Sequence, residues 1–198
     1  MKTNKVMIRI GITGGIGSGK SIICDILRLH GIPVFDADKQ AKFLNNSSSI
    51  IKEKLIIHFG EDIYIDNKLN RKLLSELIFK NEDNLKIANS IIHPEVANSF
   101  IEWCQNISNY NIVAIESAIL IEAGFKKYID KLITVFTPEE LRIKRVAHRD
   151  NTNVENIKAR IKNQISEEEK IKNSDYIIVN DNSQSLIKQV SEILNKLR

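Results

Sequence analysis

The sequence predicts an α/β fold, a five-stranded parallel sheet flanked by helices, and three observations carry that reading. Five short runs, at residues 6–12, 32–35, 112–115, 132–136 and 176–179, are apolar and rich in β-branched side chains. Segments with helical apolar spacing separate them, which is the pattern of a parallel sheet covered on both faces. A glycine-rich turn joins the first run to the first helical segment.

In chain order, the first strand leads through that turn into a helix over residues 21–29, which Gly31 closes. The second strand stops at Asp36. A long stretch, about 39–107, then reads as mainly helical, with no linker-like composition and no internal repeat. Three capping boxes follow in the last third: Thr137 with Glu140, Thr152 with Glu155, and Ser166 with Glu169. They predict three successive helices, the first strengthened by Pro138. Residues 183–197 close the chain as an amphipathic helix. At 198 residues the whole fits a single domain.

Composition narrows the function classes only partly. With 42% hydrophobic and 27% charged residues, no apolar run of membrane-spanning length and no signal-like start, the chain reads as cytoplasmic. Cys24 and Cys104 have no Cys or His partner at metal-ligand spacing and read as reduced core thiols. A net charge of +4 suits an anionic small molecule as well as a polynucleotide. The arginines are more selective, since four of the eight (Arg142, Arg145, Arg149 and Arg160) fall within one short stretch.

The residues Gly14-Gly15-Ile16-Gly17-Ser18-Gly19-Lys20-Ser21 match G-x-x-x-x-G-K-[ST] between a strand and a helix. In that setting backbone N–H groups turn inward around phosphate oxygens, and the helix N-terminus adds its positive end. Lys20 is placed to reach the β- and γ-phosphates of ATP, and the Ser21 hydroxyl to hold Mg²⁺. Asp36 and Asp38 follow the second strand, at the sheet edge where α/β folds bind ligands; one can accept a proton and the other orient substrate, although Asp36 can equally cap the next helix. Arg142, Arg145 and Arg149 are spaced i, i+3, i+7 and predict one arginine face, suited to phosphate oxygens or simply solvated. Glu116 ends the third strand, where it can meet a hydrated metal or the acceptor. His93-Pro94 reads as a kink or a substrate wall, and His58 has no catalytic partner in the sequence.

Together these pieces resemble the dephospho-CoA kinase family over essentially the whole chain. The resemblance runs through the loop from Thr13 to Ser21, Asp36-Ala37-Asp38, His58-Phe59-Gly60, His93-Pro94, Ile119-Leu120-Ile121-Glu122, Lys144-Arg145, Arg149-Asp150, Arg160 and Gln164. Ser174-Asp175 and Asn180 resemble its adenine-side segment. The resemblance implies a P-loop kinase core with a helical acceptor-binding region at about 39–107 and a helical lid at about 138–172. It implies transfer of the ATP γ-phosphoryl group, with Mg²⁺, to the ribose 3′-hydroxyl of dephospho-coenzyme A. By the same resemblance Asp38, Lys20, Arg145 and Arg149 are catalytic, and nucleotide contacts extend from the loop to Ile22, Arg142 and Asn180. Asp36, Asp38, His93 and Glu116 are acceptor-side residues. Ile22, Lys42, Glu116 and Ala118 depart from the usual family residues Thr, Arg, Asp and Pro, and none of the four removes a group the mechanism requires.

Rival readings share the loop. A GTPase would show an Asn-Lys-x-Asp segment, which the chain lacks, and a nucleic-acid-dependent ATPase would show a stronger basic surface. A sibling small-molecule kinase with another acceptor is the nearest alternative, because acceptor identity resides in the helical stretch, where sequence signals are weakest.

Overall fold

β1 (Ile8–Thr13) runs through the middle of the sheet, and its alternation explains why both faces are covered. Ile10 and Ile12 are wholly buried in one cluster with Ile23 and Leu27 of α1 (Lys20–Leu29) and Val190, Ile193 and Leu194 of α9 (Leu186–Leu197). On the other face, a side chain at Gly11 would meet Leu120, Ile129 and Leu132. The computed structural model describes residues 7–79 and 81–197, so Val6 of the first expected strand lies outside the described residues.

The element order alternates as the apolar runs predict. After β1 and α1 come β2 (Val34–Asp36), α2 (Ala37–Ser47), α3 (Ser49–Phe59), the short hairpin β3 (Tyr64–Ile65) and β4 (Lys68–Leu69), α4 (Arg71–Phe79) and α5 (Glu82–Asn106). Then follow β5 (Ile112–Glu116), β6 (Lys131–Phe136), α6 (Glu139–Asp150), α7 (Val154–Lys162), α8 (Glu167–Lys172), β7 (Tyr176–Val179) and α9. The main sheet has five strands in the order β2-β5-β1-β6-β7. β1 pairs in parallel with β5 (Gly11 opposite Ile115) and with β6 (Ile12 opposite Ile133), and β6 pairs in parallel with β7 (Val135 opposite Ile178). The chain therefore passes from one side of β1 to the other between β5 and β6. Such a switch point, at the carboxyl ends of the strands, is where open α/β sheets bind ligands.

Two compact units make up the chain, Met1–Phe35 with Asn106–Arg198, and Asp36–Gln105. The second has its own core of Ile51, Leu55, Ile63, Leu69, Leu74, Ala88 and Ile91. It is mainly helical, as the sequence predicts, but it also contains the β3–β4 hairpin that apolar spacing does not reveal. Asp66 and Asn67 both take positive φ, 48° and 61°, and form the two-residue turn that fits the twist of paired strands. Asn46 Oδ1 accepts from Leu69 N at 2.9 Å, and the Tyr64 hydroxyl donates to Asn45 O at 2.8 Å, so α2 carries the hairpin.

The helix starts correct two of the three capping assignments. Ser166 caps α8 as expected, accepting from Glu169 N at 3.1 Å. α7 is capped one residue later than expected, by Asn153 accepting from Asn156 N at 2.9 Å, because Asn supplies the same acceptor as Thr152. α6 has no side-chain cap; Pro138 occupies the position and Thr137 is engaged elsewhere. Cys24 and Cys104 are both buried and neither is part of a disulfide, and burial, reinforced by the Glu116 charge, pushes the Cys24 thiol up to about 12.

Candidate active site

The turn after β1 is built so that backbone, rather than side chains, faces a ligand. Gly19 heads α1 at φ 92°, in the left-handed region, and a Cβ there would run into Asn180 Nδ2. No acidic residue stands in the first turn of α1 and no side chain caps it, so the positive helix end is left for an anion. Lys20 Nζ donates to Gly14 O at 3.0 Å, folding the ammonium back over the loop. Ser21 is exposed at the same helix end, and Ile22 beside it is 50% exposed.

Four residues from distant parts of the chain brace this loop. Asn180 Nδ2 donates to Ser18 O at 2.7 Å, and the Thr137 hydroxyl lies 3.0 Å from the same oxygen. Gln164 Oε1 accepts from Ile16 N at 3.1 Å. Arg142 packs its Nη1 against Gly15 so closely that a Cβ there would collide with it and with Glu167 Oε1. Asn180, expected on the nucleotide side, thus holds the loop directly, while Ser174 and Asp175 serve the opposite, amino end of β7: Asp175 accepts from Leu132 N at 2.8 Å and from Lys131 Nζ at 2.9 Å.

The expected arginine face is divided. Arg142 is 2% exposed, donates from Nε to Thr137 O at 3.1 Å and pairs with Glu167 at 3.6 Å. Lys170, fully buried, completes that network 3.8 Å from Glu167 and donates to Ile165 O at 2.6 Å. Burial lowers the Lys170 pKa, against the pull of the Glu167 and Glu122 charges. Arg145 reaches the other way, to Asn182 Oδ1 at 3.0 Å and Asn180 Oδ1 at 3.5 Å. Arg149 is exposed and its guanidinium grips Asp150 at 2.7 and 3.3 Å, while Arg160 takes the same carboxylate at 3.1 Å. These two arginines hold the Asp150 carboxyl below its usual range. Sequence spacing alone cannot separate the three roles, because the 100° step of a helix gives direction without saying what stands there.

The remaining candidates sit on separate elements. Glu116 ends β5 opposite Ile12. Asp36 caps α2, its Oδ1 accepting from Lys39 N at 2.8 Å, and Asp38 is exposed in the first turn of that helix. His93 is half-buried in α5, which continues through Pro94, and burial lowers its pKa. Among the described residues no three His, Cys, Asp or Glu side chains form a metal-holding group. Sequence does not disclose that Thr137 braces the loop or that Glu167 pairs with Arg142: Thr137 has the signature of a cap, and Glu167 that of an acidic first turn.

A family profile described as dephospho-CoA kinase matches residues 8–185. The chain belongs to that family. Dephospho-CoA kinases of Bacteroides fragilis and Porphyromonas gingivalis are 39% and 40% identical to it, covering 94% and 97% of this chain and 91% and 95% of theirs. The structure of a Thermus thermophilus protein superimposes with a TM-score of 0.86 at 32% identity, covering 98% of this chain and all of that one (100%). The dephospho-CoA kinase of Campylobacter jejuni gives 0.67 at 28% identity, with 96% of each chain covered. A shikimate kinase from Acinetobacter baumannii, at TM-score 0.53 and 16% identity over 98% of this chain and 94% of its own, shares the fold.

Proposed function

We propose that this chain phosphorylates the ribose 3′-hydroxyl of dephospho-coenzyme A with ATP, giving coenzyme A and ADP, in the cytoplasm. The observation that carries the reading is the phosphate loop, complete in sequence and braced in structure, in a chain whose family acts on that acceptor. The loop amides and the α1 N-terminus hold the β- and γ-phosphates, and Lys20 exchanges Gly14 O for phosphate oxygens.

Asp38, exposed at the first turn of α2, is the group to accept the 3′-hydroxyl proton as the oxygen attacks phosphorus. Arg145 and Arg149 supply fork-shaped charge to the transferring group, and Asp36, His93 and Glu116 shape the acceptor side. Mg²⁺ fits the donor set through the exposed Ser21 hydroxyl together with phosphate oxygens and water, the manner in which this ion prefers to bind. When bound it would neutralise phosphate charge.

The test is an ADP-release assay offering dephospho-coenzyme A, AMP, shikimate and adenosine in parallel. The highest kcat/KM is expected with dephospho-coenzyme A; a higher value with any of the others would reassign the acceptor.

A further inference from the structure

The peptide between Ser18 and Gly19 is gripped from one side by two residues from elsewhere in the chain. Ser18 O receives Asn180 Nδ2 at 2.7 Å, and the Thr137 hydroxyl stands between Ser18 O at 3.0 Å and Asn180 O at 2.9 Å. All three residues are buried, at 0%, 5% and 0% exposure for Ser18, Asn180 and Thr137. The Asn180 amide can face a carbonyl only through its NH₂, and its Oδ1 is then turned to Arg145 Nη2 at 3.5 Å. Neither Thr137 nor Asn180 is spent on local structure. Thr137 leaves α6 without a side-chain cap, and Asn180 lies just past the end of β7.

There are no cis peptide bonds among the described residues. In a planar trans peptide the carbonyl and the next N–H point in opposite directions. Holding Ser18 O toward Asn180 and Thr137 therefore turns the Gly19 N–H the other way, into the cradle at the head of α1. Gly19 can take this place only without a side chain, since a Cβ would strike Asn180 Nδ2.

We infer that Thr137 and Asn180 are positioning residues that aim the Gly19 N–H at the β-phosphate of the bound nucleotide. This rests on reading the loop as a phosphate cradle. Both act through the Ser18–Gly19 peptide, so their loss should be felt by ligands that carry a β-phosphate and not by those that stop at the α-phosphate. A general loosening of the fold would weaken both kinds of ligand together.

The experiment is calorimetric titration of ADP and AMP against the wild-type chain and the variants Thr137→Val, Thr137→Ser and Asn180→Asp, with thermal unfolding of each. Valine keeps the shape of threonine without its hydroxyl, and aspartate keeps the shape of asparagine without its donor. ADP affinity is expected to fall about tenfold in both, the scale of one misdirected hydrogen bond to a charged group, with AMP affinity changed less than about twofold. Thr137→Ser should restore the wild-type ratio. An unchanged ADP-to-AMP ratio in folded Thr137→Val and Asn180→Asp overturns the inference, and if Asn180→Asp does not fold, the valine and serine pair decides it. A wild-type chain with no preference for ADP over AMP would instead overturn the cradle reading, and the inference with it.

Discussion

Asp36 and Asp38, two residues apart, show how one side-chain type divides its work. The Asp36 carboxylate caps α2, while Asp38 stands exposed within the first turn of that helix. Asp36→Asn keeps a capping oxygen and Asp36→Ala does not, so only the alanine variant should lose about 1 kcal/mol of stability. An increase in acceptor KM shared by both would report the carboxylate's role toward substrate. Asp38→Asn should leave nucleotide binding intact and lower kcat by about 10²- to 10⁴-fold, the worth of a positioned general base. A kcat within twofold of wild type, measured with saturating acceptor, would remove Asp38 from that role. His93 supplies a pH signature. Burial holds its folded pKa below the free value of about 6.5, so the unfolded chain takes up a proton first as pH falls. Its contribution is fully present above about pH 6.5 and is lost on acidification through the folded value. His93→Gln should flatten the fall in Tm between pH 8 and pH 5, which thermal scans at several pH values would measure.

Among the elements, α6 shows what sequence can and cannot disclose. Its start follows from the Thr137–Glu140 pattern and Pro138, and the structure puts it at Glu139–Asp150. Its arginine spacing is equally legible, yet the three side chains go to a half-buried carboxylate, a pair of asparagines and a neighbouring aspartate. The first two destinations depend on residues brought in from α8 and from the segment after β7, which no local pattern encodes; only the Arg149–Asp150 pair lies between neighbours in the chain. Arg149→Lys keeps the charge but cannot reproduce the two-point grip that a guanidinium makes. If Arg149 acts on the transferring phosphoryl group, its lysine variant should lower single-turnover rate by at least tenfold while ATP affinity holds; equal rates would assign it to the exposed surface pairing with Asp150. The hairpin β3–β4 was missed for a different reason. Its strands are two residues each, too short for alternation to register, and only the Asp66-Asn67 turn marks it.

For the molecule as a whole, the strand order β2-β5-β1-β6-β7 places the phosphate loop at the switch of the sheet; the five apolar runs with the glycine-rich turn foretell a parallel sheet with the loop after its first strand, but not the order of the strands, which long-range pairing decides. A ligand that binds only the folded chain must stabilise it. ADP at a hundred times its dissociation constant should add about 2.7 kcal/mol and raise Tm by about 5–10 °C for a chain of this size. Lys20→Ala should fold normally but lose most of that rise and nearly all turnover, since the lysine contributes charge to the phosphates while the loop glycines set the backbone. A full ADP-induced rise in Lys20→Ala, read by thermal scanning, would contradict the assignment. The depth of Cys24 has a practical sequel. Alkylating reagents and peroxide attack the thiolate, and a thiol pushed up to about 12 holds only about one part in 10⁵ of that form at neutral pH. With Cys104 also buried, native preparations should withstand maleimide and air without added reductant, and the same reagents should label both sulfurs as soon as the chain is unfolded.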